Sequence, residues 1–354
     1  MESFEQQEQK LDELVSRANI RTNISEMADE AKSGIWENIN SRIDRTQKFK
    51  TIFRRALIVT TGAAAVFLAG IYLLGGLRIA STEKQMIAYL SATPAPGKIG
   101  EISIISDNIK IEVATGEKIT HTGDGNILVG GVTKIVADDL KGVYITIVVP
   151  KGKQTLVQLS EGTKIWVNSG SKLVYPKKFD GDARNVYLDG EMYIEASRNE
   201  NAPFCVHTER MDINVLGTKF DVNAYKDEPV NYVVLDEGAV NVESGQKVNM
   251  LAQGQGYFVG NDAKQIKAVN VSDYICWKSG RMKLVDEPLD SLAQKLSRYY
   301  GVDIIIANTD LSSVRFDGSL SLMDSAEDVL SMLALSHNIK YRKNGGTFEI
   351  LSKS

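Results

Sequence analysis

The distribution of apolar and polar positions divides the chain into four stretches with different periodicities. Near the N-terminus, Leu11, Leu14, Val15 and Ala18 form a short helical stripe, and Ile35, Trp36, Ile39 and Ile43 form a longer one. Asn23 followed by Glu26 is a cap signal upstream of the second stripe. Residues 56–77, ALIVTTGAAAVFLAGIYLLGGL, carry no charge over 22 positions. A helix of that length spans roughly 33 Å, enough for a bilayer core of about 30 Å. Residues 101–270 alternate with a period of two in short runs such as EISII, IKIEV, VYITIVV, KIWVN, RNVYL, MDINV, KFDVN and AVNVE. Turn pairs separate them, so the stretch predicts an all-β domain, solenoid-like or sandwich-like, with no helix of useful length.

Residues 278–351 change pattern again. RMKLV reads as a strand, and Pro288 opens a helix whose inner face is Leu289, Leu292, Ala293 and Leu296, stopped by Gly301. VDIII and VRFDGSLS read as strands. Asp324 with Glu327 caps a second helix with Ala326, Val329, Leu330, Leu333 and Ala334 on its face. IKYRKNGGTFEIL reads as a hairpin around Gly345-Gly346. The predicted order is β-α-β-β-α-β-β, a small α+β sandwich. Between the apolar run and the β domain, residues 78–100 carry Pro94 and Pro96 among Ser, Thr and Ala and read as an exposed, protease-accessible linker.

Charge orients this layout. The net charge of −4 gives no support to nucleic-acid binding. Lys48, Lys50, Arg54 and Arg55 precede the apolar run, whereas only Arg78 and Lys84 follow it closely, with Glu83 between them. The positive-inside rule then predicts a single-pass membrane protein, with residues 1–55 cytoplasmic and residues 78–354 on the outer side. A segment of 1–55 with two amphipathic helices buries little core by itself. Its stripes call for a protein partner or the lipid surface.

Candidate chemistry is sparse. GTKIWVN at 162–168 recurs as GTKFDVN at 217–223. In each, glycine supplies a turn and threonine starts a strand whose inward residues correspond, Ile165 and Val167 with Phe220 and Val222. A phosphate-binding loop needs more glycines and a following helix, so these are pieces of scaffold. His121, His207 and His337 fall in separate contexts without metal spacing. Asp189 and Glu191 are a carboxylate pair of the kind glycosidases use, but Asp189-Gly190 reads more readily as a tight turn with Glu191 opening the next strand. No enzyme, metal or cofactor is expected. Cys205 and Cys276 both fall on the outer side, as a disulfide or as two separate thiols.

Four segments together resemble the ferric-citrate-regulator (FecR) family of membrane-spanning anti-sigma factors. They are VVPKGKQTLVQLSEGTKIWVNSGSKLVYPKKF, VYLDGEMYIEA, APFCVHTERMDINVLGTKFDVNAY and ICWKSGRMKLVDEPLDSLAQKLSRYYGVDI. The likeness runs from about residue 80 to 351, with Glu161 where the family usually has Asp and Asp221 where it usually has Asn. Residues 278–351 resemble the secretin/TonB N-terminal-type module of many members. The resemblance makes the membrane the inner membrane and its outer side the periplasm. It implies a non-enzymatic regulator in which residues 1–55 hold an extracytoplasmic-function sigma factor, with Ile35, Trp36, Ile39 and Ile43 as the contact stripe. It also implies a periplasmic signal from the signalling domain of a TonB-dependent outer-membrane transducer, and release through site-specific membrane proteases. The alternative is a membrane-anchored periplasmic binding or scaffold protein with no transcriptional role.

Overall fold

The computed structural model describes residues 84–353, apart from short segments at 98–99, 107–108, 136–142, 246, 261–262, 309–310 and 312–313. The N-terminal stripes, including Ile35, Trp36, Ile39 and Ile43, and the apolar run 56–77 lie outside the described residues. Among the described residues no helix is long and apolar enough to cross a membrane.

The mainly β expectation holds. Among the described residues, eighteen strands, from Ile102–Ser106 to Lys264–Ala268, form one hydrogen-bonded network folded into two layers. One layer includes the strands Ile102–Ser106, Tyr144–Val149, Ser171–Pro176, Phe204–His207 and Asp212–Val215. The other includes Lys118–His121, Thr155–Gln158, Lys164–Val167, Lys219–Ala224 and Val230–Glu237. Alternation drives the layers together. In Tyr144–Val149, Ile145, Ile147 and Val149 enter the shared core, as do Ile165, Val167, Phe220 and Val222 from the facing layer. The result is a sandwich, with aliphatic inner faces meeting in one core.

One strand, Arg184–Glu195, belongs to both layers. Its first half pairs with Ser171–Pro176 and Phe204–His207, and its second with Lys164–Val167 and Lys219–Ala224. The expected turn at Asp189-Gly190 is therefore absent. The chain stays extended and bends from one layer into the other at Gly190, where φ is +133°. A Cβ there would lie 2.6 Å from Ser171 Cα, so only glycine lets the two backbones come this close.

The repeated stretches turn out to flank this strand. Ile194 pairs with Ile165 on one side and Phe220 on the other. Their glycines are not equivalent, contrary to expectation. Gly162 has φ +96° in a turn, whereas Gly217 lacks a positive φ and is required by a close approach, its Cβ position being 2.6 Å from Arg198 Cα.

The exposed-linker reading is corrected for residues 84–92, which form a helix (α1) with Met86 and Leu90 buried against Tyr144, Val174 and Tyr187. Met86, Tyr89, Leu90 and Thr93 recur at i, i+3, i+4 and i+7, a stripe hidden among small polar residues.

The C-terminal module follows a short helix, α2 (Ser272–Ile275), and a 3-10 turn, Cys276–Ser279. It has the expected element order. Strand Arg281–Pro288 pairs with Arg315–Ser321, and Thr347–Ser352 lies between Asp303–Ile306 and Ile339–Asn344. Helices α3 (Leu289–Tyr300) and α4 (Ala326–Ser336) cover a separate apolar core through the predicted faces. The cap of α4 differs by one residue: Ser325, extended in backbone, accepts from the Asp328 amide and makes the capping box with Asp328, not Asp324 with Glu327. Cys205 and Cys276 are both free thiols, with burial pushing the Cys205 thiol up to about 12.

Candidate functional site at the junction of the two modules

A cluster of buried polar residues lies where the β sandwich meets the C-terminal module. Its centre is Glu191, just past the bend in the shared strand. The last residues of the two repeats reach it from either side. Asn168 Nδ2 donates to Glu191 Oε2 at 2.5 Å, and Asn223 Nδ2 approaches Oε1 at 3.5 Å. Tyr232 completes the set, its hydroxyl donating to Oε1 at 2.9 Å. Burial, with the Glu228 carboxylate as a lesser contributor, raises the Glu191 carboxyl above the usual range, and the hydrogen bonds from Asn168 and Tyr232 partly oppose it.

The fifth residues of the repeats, Trp166 and Asp221, flank Tyr193 on the same strand. The connector docks onto them. Trp277 Nε1 donates to Asp221 Oδ1 at 3.1 Å, and Lys278 Nζ lies 3.4 Å from the Tyr193 ring centre and 4.1 Å from that of Trp166. Asp221 has no solvent exposure, and burial raises its carboxyl well above the ordinary value, with Glu191 adding to the shift. The resemblance marked Asp221 as a departure. In the fold, the carboxylate is what receives the connector tryptophan.

From the module side, α3 contributes Arg298. Its Nη1 donates to Glu228 Oε1 at 2.6 Å and its Nη2 to Asp227 Oδ1 at 2.9 Å, while the guanidinium stacks 3.5 Å from the Tyr225 ring centre. Arg298 and Glu228 are both about as buried as core residues, at 7% exposure each. The Gly152 amide donates to the Arg298 carbonyl at 2.9 Å, so main chain as well as side chain joins the modules. A cavity of about 430 Å³ lies beside this contact, lined by Glu191, Tyr232, Tyr274, Trp277, Lys295 and Arg298 among others.

The carboxylates and histidines that the sequence singled out do not converge here. Asp189 does not join Glu191. It pairs with Lys226 at 3.2 Å on the other side of the bend, so the two carboxylates of the glycosidase-like pair do not converge. The histidines are scattered. His121 contacts Tyr175 at 2.7 Å and is pushed down to about 4 by burial. His207 contacts Asp212 and Asn185, and His337 packs on Phe316. Among the described residues no cluster could hold a metal ion. Sequence reasoning singled out none of Asn168, Asn223, Trp277 or Arg298. The shared final asparagine of the repeats was the available signal for the first two.

Comparison with known proteins follows the same two-module division. Residues 145–241 match the FecR protein family model, and residues 281–350 match the model for the FecR C-terminal region. Two crystal structures, each of a proposed anti-sigma factor from Parabacteroides distasonis ATCC 8503, at 2.50 and 1.65 Å resolution, are similar in fold. Both show 28% identity and a TM-score of 0.56, with 60% and 59% of this chain matched to 100% and 99% of theirs. No curated protein matches significantly. Both family regions are present in this chain, the FecR region followed by the FecR C-terminal region, so the chain is similar to FecR-type proteins, among them a proposed anti-sigma factor.

Proposed function

We propose that the protein is a membrane-spanning anti-sigma factor. Residues 1–55 hold an extracytoplasmic-function sigma factor at the cytoplasmic face of the inner membrane, through Ile35, Trp36, Ile39 and Ile43. Residues 56–77 cross the membrane, and the sandwich and C-terminal module lie in the periplasm. The observations that carry this reading are the likeness to a proposed anti-sigma factor over 60% of the chain and the FecR and FecR C-terminal regions at 145–241 and 281–350. The uncharged run with basic residues on its N-terminal flank supports the topology.

The C-terminal module is the receiving end. Its three-stranded sheet has Asp303–Ile306 and Ile339–Asn344 as outer strands, to which the signalling domain of a TonB-dependent transducer can add a strand. The junction supports transmission, because a buried charge pair and a tryptophan contact tie the module to the sandwich. Release of the sigma factor then follows cleavage by site-specific membrane proteases.

The test is capture by tagged residues 1–55 in the native host. Recovery of a sigma factor, lost on Trp36→Ala, is the expected result. Capture of none, from cells shown to produce the candidate sigma factor, sinks the reading in favour of a membrane-anchored periplasmic scaffold.

A further inference from the structure

Part of the segment expected as a free linker, residues 84–93, is instead docked on the sandwich. Met86 is fully buried and Leu90 3% exposed, both on the outer surface of the sandwich layer made by strands Tyr144–Val149, Ser171–Pro176 and Arg184–Glu195. The Tyr89 and Tyr144 rings meet at 5.0 Å, and the Tyr144 hydroxyl donates to Gln85 Oε1 at 3.1 Å. The C-terminus of α1 is capped from the sandwich. Lys172 Nζ donates to the Thr93 carbonyl at 2.8 Å and the Leu90 carbonyl at 3.3 Å, its cation facing the negative end of the helix dipole. Lys172 is itself buried, at 7% exposure, so the cap is built into the sheet and is not a chance surface contact.

Proteases cleave chain that is locally open, at a rate set by how often it opens. A docked and capped helix suppresses that opening. The opposite face of α1, with Ala88, Ser91 and Ala92, is exposed, so among the described residues only the docked face holds the helix to the sandwich.

We propose that α1 is a releasable latch that shields the segment 84–97 from proteolysis until a signal undocks it. The proposal rests on the anti-sigma reading for its purpose and deepens it by naming the regulated element. The fold offers a route from signal to latch. The strand Arg184–Glu195 lies under α1 with Tyr187, pairs Asp189 with Lys172, bends at Gly190 and enters the junction with Glu191. A shift of the C-terminal module that disturbs Glu191 acts on the strand that also forms the dock.

The experiment uses the full-length chain in membranes, treated with proteinase K, with cleavage sites read by mass spectrometry. Leu90→Asp and Lys172→Met are expected to speed cleavage within 84–97 by about tenfold or more. Ala88→Asp, on the exposed face, leaves it unchanged and controls for charge. The thermal transition of the sandwich confirms that the variants remain folded, and Lys172→Met serves if Leu90→Asp does not. In the host, the same two variants are expected to switch on a sigma-dependent reporter without inducer. Wild-type cleavage rates in both variants overturn the latch. Faster cleavage with a silent reporter, in cells where residues 1–55 capture the sigma factor, overturns its regulatory role. If residues 1–55 capture nothing, the anti-sigma reading fails, and the cleavage rates still decide whether α1 shields the segment.

Discussion

The sandwich core and the module junction are buried to a similar degree and built from opposite materials. Between the layers the contacts are aliphatic and aromatic, with Ile145, Ile165, Val186, Phe204 and Phe220 all without solvent exposure. At the junction, Glu191, Asp221, Glu228 and Arg298 are almost as well buried and carry carboxyls and a guanidinium. Apolar burial is non-directional and contributes about 25 cal/mol per Å², so it holds the layers together with little demand on orientation. Buried charges cost several kcal/mol each in desolvation and recover it only in a narrow geometry. The junction thus adds little net stability but defines one arrangement of the two modules. It is also the contact most easily broken by removing a single partner.

The comparison can be broken at its hinge. Gly190→Ala places a methyl 2.2 Å from Ser171 Oγ at a φ of +133°, and should destabilise the sandwich by about 4 kcal/mol or more. Chemical denaturation measures this, and a variant as stable as the parent would show that the two backbones can separate. Next in size is Arg298→Ala. It leaves Glu228 buried without its cation and should cost about 3–5 kcal/mol at the junction. Two separate calorimetric transitions are expected in place of one coupled transition, with Arg298→Met milder because the aliphatic stem still packs on Tyr225. Retention of a single transition would mean that main-chain contacts such as Gly152 to Arg298 suffice.

Trp277→Phe sharpens the comparison at smaller scale. It keeps an aromatic, though smaller, ring but removes the donor to buried Asp221, at a cost of about 1–3 kcal/mol. The junction should loosen first, read as faster amide exchange at residues 276–279. The smallest effect is Glu191→Gln. The Glu191 carboxyl is raised in the fold by burial and the Glu228 charge, so over the interval between its unfolded and folded values the native state holds a proton that the unfolded chain has lost. Its contribution is complete below the unfolded value, about 4.3, and declines as pH rises through the folded one. Glu191→Gln should flatten that decline and leave stability in acid nearly unchanged. A pH profile identical to the parent's would place the proton elsewhere.

Much of the architecture was legible because periodicity is a local property. The faces Leu289, Leu292, Ala293, Leu296 and Val329, Leu330, Leu333 could be read from spacing alone, and all are buried. The misreadings share a cause. Asp189-Gly190 has the composition of a turn, yet the same glycine permits a bent strand when Ser171 lies against it. The α1 stripe of Met86, Tyr89, Leu90 and Thr93 is short and ends in prolines, so composition argued for a linker. Only the Tyr144, Val174 and Tyr187 surface makes it a helix worth forming. The candidate site was barely legible, because Arg298 and Glu228 are 70 positions apart and nothing local marks either as a partner.

From its sequence alone this protein has a mainly β domain, a β-α-β-β-α-β-β module after it, an uncharged run with a basic flank before it, and the motifs of the FecR family. Alternation, capping and composition act over a few residues, so each of these is written where it operates. The tertiary structure decided that two copies of one stretch clasp a single strand, that their asparagines meet on Glu191, and that a linker became a docked helix. Those outcomes depend on long-range packing, where a buried charge or a bare glycine acquires its meaning from a surface contributed by distant chain.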